Sequence, residues 1–497
     1  AGTADVAAGA GDADTTELAT RVIAAVPGDE SVAVAAVWAL SPADWVALNY
    51  LDSHFAAYVP FWDDVADLAP GAVNRAFLRR VLVLSKTRHA RGNTATSYAQ
   101  GGIAVVLPNT DDSVAAHVAD TVVAGAGLCD AAAVTSIVAD GYRAVSDLVG
   151  LGARFDTTPE GTWSLTREGG HHRRRIIHAG GDATGAEVQR ALDRAAALLD
   201  IRRGHVATQV LHDEGRVTGV LVHSPDGPGV LHAPSVILAT GGQSLPRTGS
   251  DGSGYGLARH LGHHITPTVP ALVALMLDEL CFHADLSGLA QEVEIQTLVA
   301  GRSVDRRTGS LLWTHFGISG PVVMDASRFW CLAKARGEAV EMVGNFLPGR
   351  NAEQAREWFL AQAHHNPRRS LLKLLAESLP ERYAETLCRH AGGNPQQACA
   401  QVPRAIRDRL LAALTHFRFP VVRDRGWNFA EVTAGGIPLE EVNFRTMESK
   451  LVPGVYLVGE VLDCDGRIGG FNFQWAWATG LVAGRAAAAS FVAESGR

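Results

Sequence analysis

The sequence predicts an α/β fold in which one domain is interrupted by a second domain. Two short apolar strands, at Val236–Leu238 and at residues 455–458, each end in a glycine turn that leads toward a helix. Between them, from about residue 265 to 425, strand-like pieces mix with charged helices and the glycine turns stop. Strands that alternate with helices are typical of a parallel sheet covered by helices, and the change of pattern indicates an insertion.

This pattern divides the 497 residues into four segments. A chain of this length is long for one core, so several domains are expected. Residues 81–264 and 426–497 are predicted to form the two parts of one α/β domain, and residues 265–425 an inserted α+β substrate domain. Residues 1–80 stay without an assigned fold. A cleft between two domains is a usual place for a small-molecule substrate.

The composition limits the class of protein. Apolar residues make up 47% of the chain and charged residues 19%, which is typical of a globular protein. The 44 Lys and Arg against 52 Asp and Glu give a net charge of -8, which argues against a nucleic-acid surface. No apolar run approaches the ~18 residues that span a bilayer. The first residues lack a basic and apolar signal pattern, so we expect no secretory leader.

The cysteines and paired histidines carry no metal pattern. The six cysteines are scattered and form no Cys-x-x-Cys pair, so we expect reduced thiols and a cytoplasmic protein. The histidine pairs at residues 263–264 and 364–365 lack a third ligand at metal spacing. We therefore predict that they lie at the surface and that there is no metal site. No feature of the sequence determines an oligomeric state.

The elements of the first part follow from local patterns. Residues 32–40 are apolar and could form a strand or the start of a buried helix, because periodicity does not separate the two. The clearest helix is residues 183–199, whose apolar face carries Val188, Leu192, Ala195 and Leu199. Further helices are predicted at residues 114–124, 131–148 and 255–261. Strands are predicted at residues 81–84, 206–211, 217–223 and 236–238, of which the middle two resemble a hairpin.

The inserted and C-terminal segments are predicted in the same way. The insert should contain strands at residues 311–314 and 340–346 and helices at residues 353–363, 370–374 and 405–414. Near the C-terminus, a strand ends at Gly459–Glu460, and Gly469 and Gly470 then open an alanine-rich helix. A strand, a glycine turn and a helix N-terminus together form a site for an anion or a dipole. The alternative is an ordinary strand-to-helix turn.

Two further glycine-rich stretches are candidates for ligand contact. Residues 93–103 combine small and hydroxyl side chains with two glycines, so that the backbone could approach a flat ring or a phosphate. The alternative is a flexible surface loop. Residues 239–242 follow a strand, but many α/β proteins contain such a turn.

A polar cluster at residues 167–175 is the best candidate for chemistry. Glu168, His171 and Arg174 combine an acid, an imidazole and a guanidinium, which could bind a dicarboxylate and move a proton. A solvated charged face is the main alternative. A nucleic-acid patch would need interleaved aromatic residues, which are missing.

These motifs carry two family resemblances. Through residues 81–86, 93–106, 117–130, 165–171 and 177–185, the segment 82–242 resembles the flavin domain of the L-aspartate oxidase family, which is related to succinate dehydrogenase and fumarate reductase flavoproteins. The segment 236–490 resembles the BaiN-like FAD-dependent oxidoreductases, through residues 240–249, 252–256, 312–321, 432–436, 447–450 and 459–480. The sequence therefore resembles a hybrid of two related flavoenzyme families that switches near Gly242.

Both resemblances imply FAD held by a Rossmann-like domain. The flavin should be noncovalent, because no histidine occupies residues 93–98, where succinate dehydrogenases attach it. The residues implied at the flavin and pyrophosphate are Lys86, Asn93, Thr94, Gln100, Gly101 and Gly102. Those implied near the adenosine are Val206, Thr240 and Gly241. Those implied at the ribitol and the flavin edge are Gly459, Glu460, Gly469, Gly470 and Asn472.

One motif of both families is missing. Their first strand leads into a Gly-x-Gly-x-x-Gly turn that binds the pyrophosphate, just before the strand equivalent to residues 81–84. Nothing similar precedes Val81. The nearest candidate, at residues 9–14, has Asp14 where the third glycine belongs, and its carboxylate would repel a pyrophosphate.

Three functions remain open. The first is an FAD-dependent oxidoreductase that transfers a hydride between a small substrate or NAD(P)H and FAD. The second is L-aspartate oxidase, which forms iminoaspartate for NAD biosynthesis. By resemblance Glu168 would lie near that substrate, but the chain after Gly242 lacks the histidine and arginine pattern that these oxidases use. The third is a noncatalytic scaffold with a flavoprotein fold, because the first glycine turn is lost.

Overall fold

The computed structural model describes residues 33–37, 81–86, 101–125, 129–168, 170–196 and 199–495. They fall into two compact units. The first contains the described residues up to Thr266 and those from Gly435 onward, and the second is Pro267–Ala434. The second unit runs beyond residue 425, where we expected the insert to end. The reason is that Val432–Ala434 pairs antiparallel with Val269–Ala271, which lies at the other end of the same unit.

Strands and helices are numbered in chain order. The strands are β1 (Ala33–Val37), β2 (Val81–Ser85), β3 (Ile103–Ala104), β4 (Ile176–Ile177), β5 (Asp200–Arg203), β6 (Val206–Asp213), β7 (Arg216–Ser224), β8 (Gly227–His232), β9 (Val236–Leu238), β10 (Val269–Ala271), β11 (Leu275–Leu277), β12 (Ala290–Val299), β13 (Arg302–Thr314), β14 (Gly317–Ser319), β15 (Val340–Asn345), β16 (Phe417–Phe419), β17 (Val421–Asp424), β18 (Val432–Ala434), β19 (Val442–Asn443), β20 (Glu448–Ser449) and β21 (Val455–Leu457). The helices are α1 (Val114–Ala124), α2 (Ala131–Gly150), α3 (Thr184–Ala195), α4 (Ser253–His260), α5 (Pro321–Ala335), α6 (Ala352–His365), α7 (Leu371–Leu375), α8 (Glu381–His390), α9 (Arg404–Thr415) and α10 (Phe471–Ser495).

The main sheet of the first unit is largely parallel. Among the described residues it has seven strands in the order β19-β20-β21-β9-β1-β2-β5. Strands β21, β9, β1, β2 and β5 run parallel, and β19 and β20 add antiparallel pairing at one edge. Within the apolar residues 32–40, Ala33–Val37 therefore form a strand rather than a helix. The carboxyl ends of parallel strands meet at one edge, where α/β sheets bind ligands.

Burial explains why this sheet forms. Strand β2 is buried along its whole length, and Val236, Leu238 and Val455 are fully buried. Strands that are buried on both faces read as continuous apolar runs, and each such side chain contributes about 1.5–3 kcal/mol. Helix α10 packs against α2 and buries Trp477 completely. The first unit also contains the predicted hairpin, as part of a three-stranded sheet in the order β6-β7-β8.

The second unit is built on a curled antiparallel sheet. In the part of the chain that the structure describes, this sheet has seven strands in the order β16-β15-β12-β13-β14-β11-β17. Its two edge strands, β16 and β17, are separated in the chain only by Pro420. The sheet therefore curls so that these two strands meet at Pro420. Its core is aromatic, with Trp313 stacked on Phe346 and Tyr383.

A buried histidine anchors the end of α4 in the first unit. The His263 side chain lies between Glu441 and Ser449, with Nδ1 2.7 Å from Glu441 Oε2 and Nε2 2.9 Å from Ser449 Oγ. The prediction that His263 lies at the surface is wrong, since only 3% of it is exposed. Its carboxylate and hydroxyl partners come from residues far away in the sequence, so local spacing did not reveal them. The Ser449 hydroxyl also accepts hydrogen bonds from the backbone of Leu451 and Val452, so the three side chains form a structural anchor.

We expect His263→Ala to lower the free energy of unfolding by about 2 kcal/mol, because it removes two buried hydrogen bonds and leaves Glu441 with one partner fewer. The matched control is His264→Ala. The His264 side chain also bonds Glu441 but is 85% exposed, so its loss should cost only about 0.5 kcal/mol. Urea unfolding followed by circular dichroism measures both variants, and equal midpoints would contradict the anchor.

Candidate functional site

Three segments of the first unit meet at the carboxyl edge of its parallel sheet. Lys86 follows β2, Thr240 follows β9 and Glu460 follows β21. The Ser244 hydroxyl donates a 3.0 Å hydrogen bond to Glu460 Oε1, which links the segments after β9 and β21. The glycine turns predicted at Gly241 and Gly459 therefore lie on the edge where a ligand is expected.

Lys86 forms an ion pair with Asp251, a residue just before α4, with 2.8 Å between Nζ and Oδ2. Burial alone would raise the pKa of Asp251. Hydrogen bonds from Lys86 and Ser253 outweigh that effect and hold the pKa below its usual value. Asp251 therefore stays ionised and holds the lysine side chain at the edge of the sheet.

The Thr240 hydroxyl faces the first turn of α4. Thr240 is 2% exposed, and no described residue forms a hydrogen bond with its Oγ1. A Cβ added at Gly254 would collide with this hydroxyl, so only glycine permits the approach. No side chain caps the N-terminus of α4. An unpaired buried hydroxyl costs free energy unless another group binds it, which indicates a site for a polar ligand atom.

The two glycine stretches that we predicted from distant parts of the sequence meet in space. Gly470 has a φ of 77°, and a Cβ there would lie 2.5 Å from the Ala104 nitrogen and 2.7 Å from the Gly102 oxygen. Gly102 itself packs tightly against β4, since a Cβ there would lie 2.7 Å from Ile177 O. Apart from its chain neighbours, no described residue lies within 4 Å of a Cβ added at Gly101. The backbone of residues 101–104 and that of Gly469 and Gly470, just before α10, therefore lie together. We call these residues the glycine cradle.

Other predicted cofactor residues shape this region in different ways. The Asn472 side chain closes the preceding loop, accepting from Gly466 N at 2.8 Å and donating to Gly466 O at 3.0 Å. Gly459 N donates to the Thr479 hydroxyl, which ties the turn after β21 to α10. Val206 begins β6, an edge strand of the three-stranded sheet. The predicted contacts Asn93, Thr94 and Gln100 lie outside the described residues.

A buried ion-pair network lies beside the cradle. Arg175 is fully buried and donates two 2.7 Å hydrogen bonds to Asp112 and one of 2.7 Å to Asp120. It also donates to His171 Nδ1 at 3.2 Å. The other nitrogen of His171, Nε2, lies 2.7 Å from the carbonyl oxygen of Gly469, in the cradle.

Two histidines in this network are held neutral. Burial and the nearby Arg175 guanidinium lower the pKa of His117 to about 3. Burial also lowers the pKa of His171, and Arg175 adds to the effect, against the opposing hydrogen bond to Gly469. The His171 ring stacks on Phe471 with 4.2 Å between ring centroids. No described residue bonds the buried Nε2 of His117.

The three predicted catalytic residues occupy different environments. Glu168 is partly exposed and lies 3.0 Å from His178 Nε2, which also contacts the Thr166 hydroxyl. His171 is buried, whereas Arg174 is exposed and the neighbouring Arg175 enters the network instead. We did not single out Arg175, His178 or the two aspartates from the sequence.

The described residues fit a flavin at two ends of the expected pocket. The backbone of residues 102–104 meets Gly470, and the Thr240 hydroxyl, which no described residue bonds, lies where the adenosine side is expected. The residues after β1 lie outside the described part of the chain. In the sequence, no glycine occurs from residue 38 to 70.

Two further properties were searched over the described residues. Within them, no group of three or more His, Cys, Asp or Glu side chains is arranged to hold a metal ion. In the same residues, no helix combines the length and the apolar character needed to cross a membrane.

Comparison with known families identifies the larger part of the chain. The sequence profile of the HI0933-like protein Rossmann domain matches residues 185–486, more than half of the chain. A second profile, that of the SaeB TPR-like domain, matches residues 2–151. Among solved structures, a flavocytochrome c3 fumarate reductase in its open conformation has a similar fold, with a TM-score of 0.54 at 17% identity. The match covers 97% of this chain and 81% of that chain. The predicted α/β class with a Rossmann-type FAD-binding domain is confirmed.

Individual relatives come from both families that the sequence resembles. An L-aspartate oxidase of Mycobacterium tuberculosis strain H37Rv is 66% identical over 194 residues, which cover 37% of this chain and 36% of that protein. A 3-dehydro-bile acid delta(4,6)-reductase of Clostridium scindens is 35% identical over 256 residues, covering 52% and 62%. A ribosomal RNA dihydrouridine synthase of Escherichia coli is 35% identical over 244 residues, covering 49% and 58%. The chain therefore spans less than two thirds of the length of these relatives, and the predicted resemblance to two families is confirmed.

We expect Arg175→Met to lower the free energy of unfolding by about 3–5 kcal/mol, because two buried carboxylates lose their partner. Arg174→Met, the matched control at the exposed neighbour, should change it by less than about 0.5 kcal/mol. Thermal and urea unfolding measure both.

The deficit of Arg175→Met should also depend on pH. Burial would raise the pKa of Asp120, but hydrogen bonds from His172 and Arg175 keep it below its usual 3.8. The stability from this pairing is full above pH 3.8 and is lost as the pH falls through the folded-state pKa. The difference between wild type and variant should therefore shrink below pH 3.8. A constant deficit down to lower pH would contradict the ion-pair network.

Proposed function

Since this chain belongs to the HI0933-like Rossmann-domain family, we propose that it is an FAD-dependent oxidoreductase that transfers a hydride between a small substrate or NAD(P)H and noncovalent FAD. The observation that carries the proposal is the contact between Gly470 and the backbone of residues 102–104. This contact brings together two segments that were each predicted independently, and their backbone would border the flavin ring. The unpaired hydroxyl of Thr240 supports a second contact, at the adenosine side.

Different residues of this chain would contact different parts of FAD and of the substrate. Gly469 and Gly470 would bring backbone amides and the N-terminus of α10 to the flavin edge, where a helix dipole favours negative charge. Glu460 would bind the ribitol and Lys86 the pyrophosphate. When bound, FAD supplies the redox chemistry by accepting or donating a hydride. Glu168, hydrogen-bonded to His178 beside Gly102, would move a proton on the substrate.

The direction of reduction is supported by the names of two relatives. The Clostridium scindens relative is named as a delta(4,6)-reductase, and the Escherichia coli relative as a dihydrouridine synthase. Both names describe the reduction of a carbon–carbon double bond. We therefore favour NAD(P)H as donor and a carbon–carbon double bond as acceptor. A small-molecule acceptor stays a prediction from the sequence, since the Escherichia coli relative is named for ribosomal RNA. The absence of a nucleic-acid partner stays a prediction from the acidic composition, and the cytoplasmic location a prediction from the cysteines.

Two other functions each have an observation in their favour. L-aspartate oxidation is favoured by the 66% identity to the Mycobacterium tuberculosis enzyme, although the match covers 36% of that protein. A noncatalytic scaffold is favoured by the residues after β1, which contain no glycine from residue 38 to 70. A pocket without that turn would hold the pyrophosphate weakly.

We expect Gly470→Ala to abolish flavin uptake, because its Cβ would enter the backbone of residues 102–104 and its left-handed φ alone costs about 1–2 kcal/mol. The measurement is flavin absorbance per chain after incubation with FAD. Gly150→Ala is the matched control, since a Cβ there meets nothing within 4 Å. A wild-type chain that stays colourless with FAD would support the scaffold, and a Gly470→Ala chain that loads normally would contradict the cradle.

Anaerobic reduction of the loaded protein distinguishes the two enzymatic functions. Bleaching of the flavin by NAD(P)H would support the reductase, and bleaching by L-aspartate alone would support the oxidase. Glu168→Gln should retain the flavin but lower the rate with the true substrate by about 10²–10⁴, since a general acid or base is lost. Glu160→Gln, at an exposed glutamate, is the control. An unchanged rate in Glu168→Gln would remove Glu168 from the mechanism.

A further inference from the structure

The orientation of one peptide in the glycine cradle is set by a side chain outside it. The carbonyl oxygen of Gly469 lies 2.7 Å from Nε2 of His171, a residue that is 298 positions away in the chain. No cis peptide occurs among the described residues, and a trans peptide directs its C=O and its N–H to opposite sides. The N–H of Gly470 must therefore point away from His171.

Chemistry assigns the protons of this contact without ambiguity. A carbonyl oxygen only accepts, so Nε2 of His171 must carry a hydrogen and donate it to Gly469. A guanidinium only donates, so Nδ1 of His171 must be the acceptor of the 3.2 Å bond from Arg175. His171 is therefore neutral and confined to one tautomer.

The rest of the network keeps this arrangement rigid. Asp112 binds Arg175 through two hydrogen bonds and Asp120 through a third, so the guanidinium cannot turn away from His171. The imidazole plane is fixed by stacking on Phe471, the first residue of α10, at an interplanar angle of 14°. The two carboxylates therefore fix Arg175, Arg175 fixes the His171 ring, and His171 fixes the Gly469 carbonyl.

We propose that His171 is a positioning residue, which fixes the Gly469–Gly470 peptide so that the Gly470 N–H is presented to the flavin edge. This inference rests on the proposed function, because it assigns the contact that the flavin would receive. It replaces the catalytic role that the sequence predicted for His171. A ring that is 6% exposed, with both nitrogens bonded to the protein, has no free site for a proton from substrate.

The tautomer can be tested in the full chain without flavin. Two-bond ¹⁵N–¹H correlations of histidine-labelled protein should show a ring that carries its proton on Nε2 alone and that is missing from the spectrum of His171→Gln. Arg175→Met should remove the donor that faces Nδ1 and allow a proton on that nitrogen. A wild-type His171 protonated on Nδ1, or exchanging between both forms, would overturn the inference.

Paired substitutions then separate the hydrogen bond from the ring. His171→Phe keeps stacking on Phe471 but has no donor, whereas His171→Gln keeps a donor of similar reach. The Kd for FAD should rise about tenfold in His171→Phe, equivalent to one lost hydrogen bond of about 1.4 kcal/mol. It should stay within about twofold in His171→Gln. The flavin midpoint potential should fall in the Phe variant and recover in the Gln variant, because the Gly470 N–H favours charge on the reduced ring.

A control variant and a measurement that needs no FAD complete the test. His232→Phe makes the same substitution at an exposed histidine on β8 and should leave Kd and potential unchanged. Equal Kd values for wild type and His171→Phe would overturn the positioning role. If the wild type takes up no FAD, the proposed function fails. The positioning role is then tested by NMR on the Gly470 amide alone. Its ¹⁵N shift and hydrogen exchange should change in His171→Phe and recover in His171→Gln, and no change in either would refute it.

Discussion

Parallel pairing between Val236–Leu238 and Val455–Leu457 is the constraint on which the candidate site depends. These strands lie on either side of the second unit in the sequence, and their pairing places Thr240 and Glu460 at one edge of the sheet. An insertion between two paired strands is tolerated because closure entropy grows slowly, by about 0.6 kcal/mol for each doubling of loop length. The buried apolar side chains of both strands contribute more than that. The strand pair therefore stabilises both the fold and the geometry of the site.

Buried charge determines the other side of the site. Arg175 is fully buried and pairs with two aspartates. Asp112 lies just before α1, and Asp120 lies within it. Buried ion pairs often contribute little net stability relative to apolar packing, so their effect lies more in selecting one arrangement. Here that arrangement holds His117 and His171 neutral and joins the network to the cradle through Gly469.

Local patterns predicted most of the first unit. Helix α1 and strand β9 have the predicted bounds, because caps, apolar runs and glycine turns act within a few residues. Strand β12 was missed, although buried and exposed positions alternate along it, because polar residues at Gln291 and Thr297 face inward. His263 was assigned to the surface for a related reason, since its buried partners Glu441 and Ser449 lie far away in the sequence.

From the sequence alone came the α/β class, the interruption of one domain by another, and the glycine stretches on both sides of the cradle. Short-range features determine these, since steric freedom at glycine and apolar periodicity depend only on nearby residues. The tertiary structure decided which of two adjacent arginines is buried and which histidine contacts the cradle. Arg174 and Arg175 are chemically identical in the sequence, and only Arg175 meets Asp112 and Asp120. A guanidinium can be buried only where carboxylates from elsewhere in the chain compensate its desolvation, and that condition exists only once the chain has folded.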